Sequence, residues 1–162
     1  MALAAPLERL QPCLFDRLLD EEPEHKQESR NARIISLARY RDGILRDLAW
    51  LLNCSAHLSD EGLSEFPEVE KSVMNFGKRG LAGMVASDVD GHEMEEEIAR
   101  TILQFEPRIV PETLSVSLVT NADGRNPNVL AFEIKGELWA QPFPEKLFIK
   151  TSLDIENGTV EL

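Results

Sequence analysis

Met94, Ile98, Ile102 and Phe105 recur at spacings of four, four and three, which places them along one face of a helix. Asp90 followed by Glu93 has the capping-box pattern of a helix start, and Glu93, Glu95, Glu96 and Glu97 lie where the positive end of the helix dipole favours acids. Glu96 and Arg100 stand at i,i+4 and are expected to pair. Pro107 disfavours helical backbone at Glu106, so the helix is expected to end there, with Arg108 placed to meet its last carbonyls. The same 3.6-residue period marks Leu37 to Asn53, where Leu37, Ile44, Leu45, Leu48, Leu51 and Leu52 cover a broad apolar face. Trp50, at the edge of that face, is assigned to the core, Gly43 to a close approach by another element, and Asn53 to a C-terminal cap. Leu10, Leu14, Phe15, Leu18 and Leu19 form a shorter amphipathic stretch with Pro12 in its first turn. Val69 to Phe76 reads as a short helix with Val69, Val73 and Phe76 inward, closed by Gly77 at positive φ.

Beyond Pro111 the period becomes two. Leu114, Val116 and Leu118 alternate with serines, and Leu130, Phe132 and Ile134 alternate with Ala131, Glu133 and Lys135. Asn121-Ala122-Asp123-Gly124 supplies a turn between them. Leu147 to Ile155 is a third strand, and Asn157-Gly158 a hairpin signal before a fourth, Thr159 to Leu162. The expected fold is α+β, with N-terminal helices packed on one face of a small, mainly antiparallel C-terminal sheet. Residues 1–36 divide off as a docking helix and a polar linker, running DEEPEHKQESRNAR from Asp20 to Arg33. Residues 37–162 form the single domain.

Charge narrows the partners. A net charge of -12 supplies no clustered cations for a phosphate backbone, so nucleic acid is excluded and basic protein partners are favoured. Cys13 and Cys54 form no CxxC and have no metal-ligand spacing with His25, His57 or His92, so they read as reduced core thiols of a cytosolic protein. No run approaches the ~18 apolar residues of a membrane-spanning helix, and MALAAPLERL is too short in its apolar part for a signal peptide. No cofactor or metal is implied. GxSxG, Walker A and GxGxxG patterns are absent, and HLSDE at His57 to Glu61 is not the HExxH zinc motif.

Glu106-Pro107-Arg108 admits two readings from the residues. In one, Arg108 caps the helix end and Glu106 pairs with a neighbouring cation; in the other, a rigid corner presents a carboxylate and a guanidinium to a partner. A resemblance bears on the choice. Leu14-Phe15-Asp16-Arg17-Leu18 with an acidic segment around Pro23, Asp47 to Asn53 (DLAWLLN), Ser72 to Gly77 (SVMNFG) and Phe105-Glu106-Pro107-Arg108, in this order, resemble the TssE family. That family supplies the baseplate subunit of the bacterial type VI secretion system and is related to the lysozyme-like wedge protein of contractile phage tails. Phe76 stands where tyrosine is common, Cys54 where threonine is, and Ile109 where leucine is.

The resemblance implies a structural, non-enzymatic role in the cytoplasm, in a baseplate docked at the inner membrane complex. It links the TssF/TssG wedge, with TssK as a further candidate, to the first ring of the TssB/TssC sheath. Glu106, Pro107 and Arg108 become the wedge-contacting corner, and the C-terminal sheet receives sheath strands by β-augmentation. The rivals are a peptidoglycan-cleaving, lysozyme-like hydrolase and a generic cytoplasmic adaptor. The hydrolase requires two carboxyl groups facing one cleft. Glu106 beside Phe105 is the suggestive acid, and spacing does not choose between Asp47 and Glu133 as its second.

Overall fold

The computed structural model describes residues 10, 12–18, 35–56, 63, 65–80, 89–119, 129–140 and 144–162. Among the described residues, the α-helices before the sheet are α1 Leu14–Leu18, α2 Leu37–Asn53, α3 Pro67–Glu70 and α4 Gly91–Phe105. The strands are β1 Ser115–Val119, β2 Val129–Leu138, β3 Glu145–Asp154 and β4 Thr159–Glu161, in spatial order β1-β2-β3-β4 and antiparallel throughout. This is the α+β arrangement expected from the two periodicities.

α2 starts where Ser36, in extended backbone, accepts the Arg39 N–H. α4 starts the same way, with the Asp90 carboxylate accepting from His92 N at 2.8 Å. Its apolar stripe is Met94, Ile98 and Ile102, all buried. These meet Ile44, Leu48, Leu51 and Leu52 of α2 and the inward sheet row Phe132, Ile134, Leu138, Leu147, Ile149 and Leu153 in one core. Opposed pairs such as Ile134 and Ile149 fix the strand register, because a slip of one residue would turn the row to solvent. Each such Leu or Ile contributes ~1.5–3 kcal/mol by leaving water. Among the described residues no helix is long and apolar enough to cross a membrane.

Two links brace the helices to the sheet end. Gly77, at φ 124°, lets Lys78 exchange backbone hydrogen bonds with Cys54 and Ala56; a Cβ on Gly77 would stand 2.5 Å from the Cys54 carbonyl oxygen. Lys78 then sends its buried Nζ to the Gly158 carbonyl at 2.9 Å, in the β3–β4 turn, and burial pushes its pKa down. Asn53, at the end of α2, accepts from Val160 N and donates to Val160 O, both at 2.9 Å, while donating to Ala49 O. One carboxamide thus closes the helix and occupies the outer edge of β4.

Several local expectations fail for identifiable reasons. Trp50 is 49% exposed, because α2 turns that side towards α1 instead of the core. Val69 to Phe76 is not one helix: Pro67 opens α3 as its first residue, and Val73 lies in a separate 3-10 turn, 80% exposed. Glu96 pairs with His92 instead of Arg100, and Glu93 with Arg79. Cys54 is exposed and Cys13 half-buried, so neither is a core thiol, though both are free. The Asp20 to Arg33 linker, His57 and the Asn121 to Gly124 turn lie outside the described residues.

Candidate functional site

Phe105 is the last residue of α4, and Glu106 N still donates to Ile102 O. After Pro107 the chain runs straight onto the sheet. Val110 N donates to Glu137 O and Trp139 N to Arg108 O, with Ile109 buried opposite Leu138. Glu106-Pro107-Arg108 is therefore a bend clamped at one end by a helix and at the other by β2. Pro107 at its apex is exposed.

The two charges of the bend turn towards each other. Glu106 is 4% exposed, and its carboxylate accepts from Arg108 N at 3.1 Å, from Arg108 Nε at 2.6 Å and from Arg108 Nη2. Nη2 also donates to Asp47 Oδ2 at 2.6 Å. The expectation that Arg108 caps the helix carbonyls fails, because two carboxylates outcompete neutral carbonyls for a guanidinium. Burial works against the charge on Arg108, but the hydrogen bonds and charges of Glu106 and Asp47 outweigh it and raise its pKa further. Tyr40 lines the same place, its hydroxyl pKa raised chiefly by burial.

Asp47 extends the network. Its Oδ1 accepts from Arg46 Nε at 3.0 Å and Nη2 at 2.8 Å, while Arg46 Nη1 donates to Asp16 Oδ1 of α1 at 2.6 Å. The Arg46 guanidinium also lies 5.1 Å from the Phe15 ring centre and 5.3 Å from that of Trp50. Phe15 and Trp50 meet edge to face. Here α1 docks, and Gly43 gives it room, since a Cβ there would stand a close 3.3 Å from Asp16 Oδ2. Leu14 and Leu18, on the other side of α1, remain exposed.

A groove of about 590 Å³ opens between α1 and the bend, walled mainly by Phe15, Trp50, Phe76, Phe105 and Pro107, with Arg108 at its polar end. Sequence reasoning named Glu106, Pro107 and Arg108, and offered Asp47 only as one of two possible second acids for a hydrolase, not as a partner of Arg108. Asp47 and Arg108 stand 61 positions apart, a separation that carries no spacing signal. Of the acids proposed for a hydrolase, Asp47 reaches the bend, whereas Glu133 pairs with Lys135 and Lys150 on β2 and β3. Among the described residues no cluster of His, Cys, Asp and Glu could hold a metal ion.

An antiparallel sheet backed by helices, with a locked bend and an apolar groove where helix passes into strand, makes this an α+β domain. The family model described as baseplate wedge protein gp25 matches residues 38–143, which include the bend, Asp47 and the first two strands of the sheet. The chain belongs to this family, and the family supports a phage-tail-like baseplate component that interacts with other baseplate proteins. No curated protein and no solved structure matches it significantly.

Proposed function

We propose that the chain is a TssE-type structural subunit of a type VI secretion baseplate. It links the TssF/TssG wedge, with TssK nearby, to the first TssB/TssC sheath ring on the cytoplasmic side of the inner membrane. The observation that supports it most is the bend. A surface feature pinned by α4, by β2 and by a buried arginine–carboxylate cluster keeps one shape before binding, which lowers the ordering cost of association. Because Glu106 and Arg108 are turned to each other, what the bend offers a partner is Pro107, the groove beside it and the outer edge of Arg108.

Sheath strands would add at a sheet edge. β1 is the better candidate: Glu95 takes its Leu118 N–H at 2.6 Å, whereas Asn53 takes both backbone groups of Val160 in β4. The protein acts as no enzyme in this reading. Glu106 and Asp47 both accept from one guanidinium, which suits neither to serve as the protonated acid of glycoside cleavage.

Co-purification with TssF and TssG tests the proposal. Arg108→Glu, which sets a third carboxylate against Glu106 and Asp47, is expected to abolish it, and Pro107→Gly, which adds no charge, to weaken it. If both variants stay folded by circular dichroism and still co-purify, the bend is not the wedge contact. A peptidoglycan zymogram is expected to stay dark; clearing by the purified chain would favour the hydrolase.

A further inference from the structure

The arginine of the bend is not used up by its internal partners. A guanidinium has five N–H donors. Nε gives its one to Glu106, and Nη2 donates to Glu106 and to Asp47. Among the described residues, none accepts from Nη1. No buried side-chain nitrogen or oxygen of the described residues lacks a hydrogen-bond partner, so Nη1 must be reachable from outside. The side chain as a whole is only 19% exposed and lines the groove. Two donors are thus held in fixed orientation beside an apolar recess.

The charges around it choose the acceptor. Asp16, Arg46, Asp47, Arg108 and Glu106 form one connected chain of three carboxylates and two guanidinium groups, which sums to one negative charge. A partner carboxylate entering here would meet an arginine already neutralised by two acids, on a chain of net charge -12. A neutral carbonyl avoids that repulsion and suits the same two donors. The walls Phe15, Trp50, Phe76, Phe105 and Pro107 demand apolar side chains around it.

We propose that the groove receives an apolar segment of the wedge partner whose free backbone carbonyls, as at a helix end or a turn, accept from Nη1 of Arg108. This rests on the bend being the wedge contact and specifies what it recognises: a desolvated carbonyl in an apolar setting, not an acidic motif. Asp47 then acts as a positioning residue, because it fixes the rotation of the guanidinium that Glu106 alone would hold on one edge.

Titration of the purified chain with the TssF–TssG pair tests this. Lysine at position 108 keeps the charge for Glu106 and Asp47 but lacks the planar fork, so Arg108→Lys is expected to weaken binding by about tenfold or more. Trp50→Glu, at an exposed groove wall, is expected to do the same while leaving the core intact. Wild-type affinity should change little with salt, as for a neutral acceptor in an apolar seat. With 5-fluorotryptophan incorporated, the ¹⁹F resonance of Trp50 should shift on binding, and the lysine variant should reduce that shift at equal partner concentration. If Arg108→Lys weakens binding but Trp50→Glu does not and the Trp50 resonance stays put, the groove is not the seat and the inference falls while the bend remains the contact. Steep loss of affinity with salt would identify a charged acceptor and likewise overturn it. If neither Arg108→Lys nor Trp50→Glu alters binding, the wedge-contact reading itself fails.

Discussion

α4 holds one buried glutamate, Glu97, and the residue that caps its C-terminus is another, Glu106; each is served by an arginine in the same manner, and the two differ in what lies behind the arginine. Glu97 accepts Arg79 N at 2.8 Å and lies 3.4 Å from Arg79 Nε; Glu106 accepts Arg108 N at 3.1 Å and Nε at 2.6 Å. In both, one carboxylate binds a backbone N–H and the side chain of the same residue. Arg79 then runs outward, 41% exposed, to the exposed Glu93. Arg108 runs inward to Asp47 and through it to Arg46 and α1. The first pair braces a loop against a helix. The second connects three elements around a groove, so where the first only braces, the second also shapes a surface.

Removing each acid separates them most sharply. Glu106→Ala leaves a half-buried guanidinium with Asp47 as its remaining acid partner and is expected to cost about 3 kcal/mol. Glu97→Ala lets Arg79 return to water and should cost only about 1–2 kcal/mol after allowance for solvent screening. Urea unfolding measures both, and equal losses would erase the distinction. Asp47→Asn comes next, at about 1–2 kcal/mol, since two charge-assisted bonds from Arg46 and one from Arg108 are weakened. Combined with Arg79→Ala it should be additive within about 0.5 kcal/mol, because the two clusters share no partner. Asp16→Ala is smaller, at about 0.5–1 kcal/mol, and should release α1, read as a change in Trp50 fluorescence against Trp139→Phe. The pH response is smallest. Burial opposes ionisation of Asp16, but the Arg46 and Cys13 hydrogen bonds prevail and set its pKa below 3.8. Its contribution is therefore complete above 3.8 and fades as pH falls through the lower folded value. The Trp50 signal should follow α1 loosening in that acid range and stay flat near neutrality.

The helix and strand layout was legible because burial writes its period into the chain. α2 runs from Leu37 to Asn53 as its leucines require, and Asn157-Gly158 closes the last hairpin with Gly158 at φ 66°. Pairings across long separations were not legible. Nothing near Arg108 in sequence points to Asp47, and the acceptors its neighbours in sequence offer are the carbonyls that end α4. Trp50 failed because an indole at the edge of a stripe satisfies either side, and only the placement of α1 decides. Glu97 could have been found. It sits three residues after Met94 and four before Thr101, on the buried stripe, yet the acidic run around it made it look solvated.

Asn53 offers β4 one donor and one acceptor at the spacing a neighbouring strand would use. To that extent the last strand of the sheet behaves as though it already had a companion. Free copies of the chain meeting side by side would find that margin taken, and zipping together along it would first require evicting a carboxamide that also holds the end of a long helix. A part of an ordered machine gains from not joining its own kind beforehand, and at this one edge a single amide side chain stands in the way.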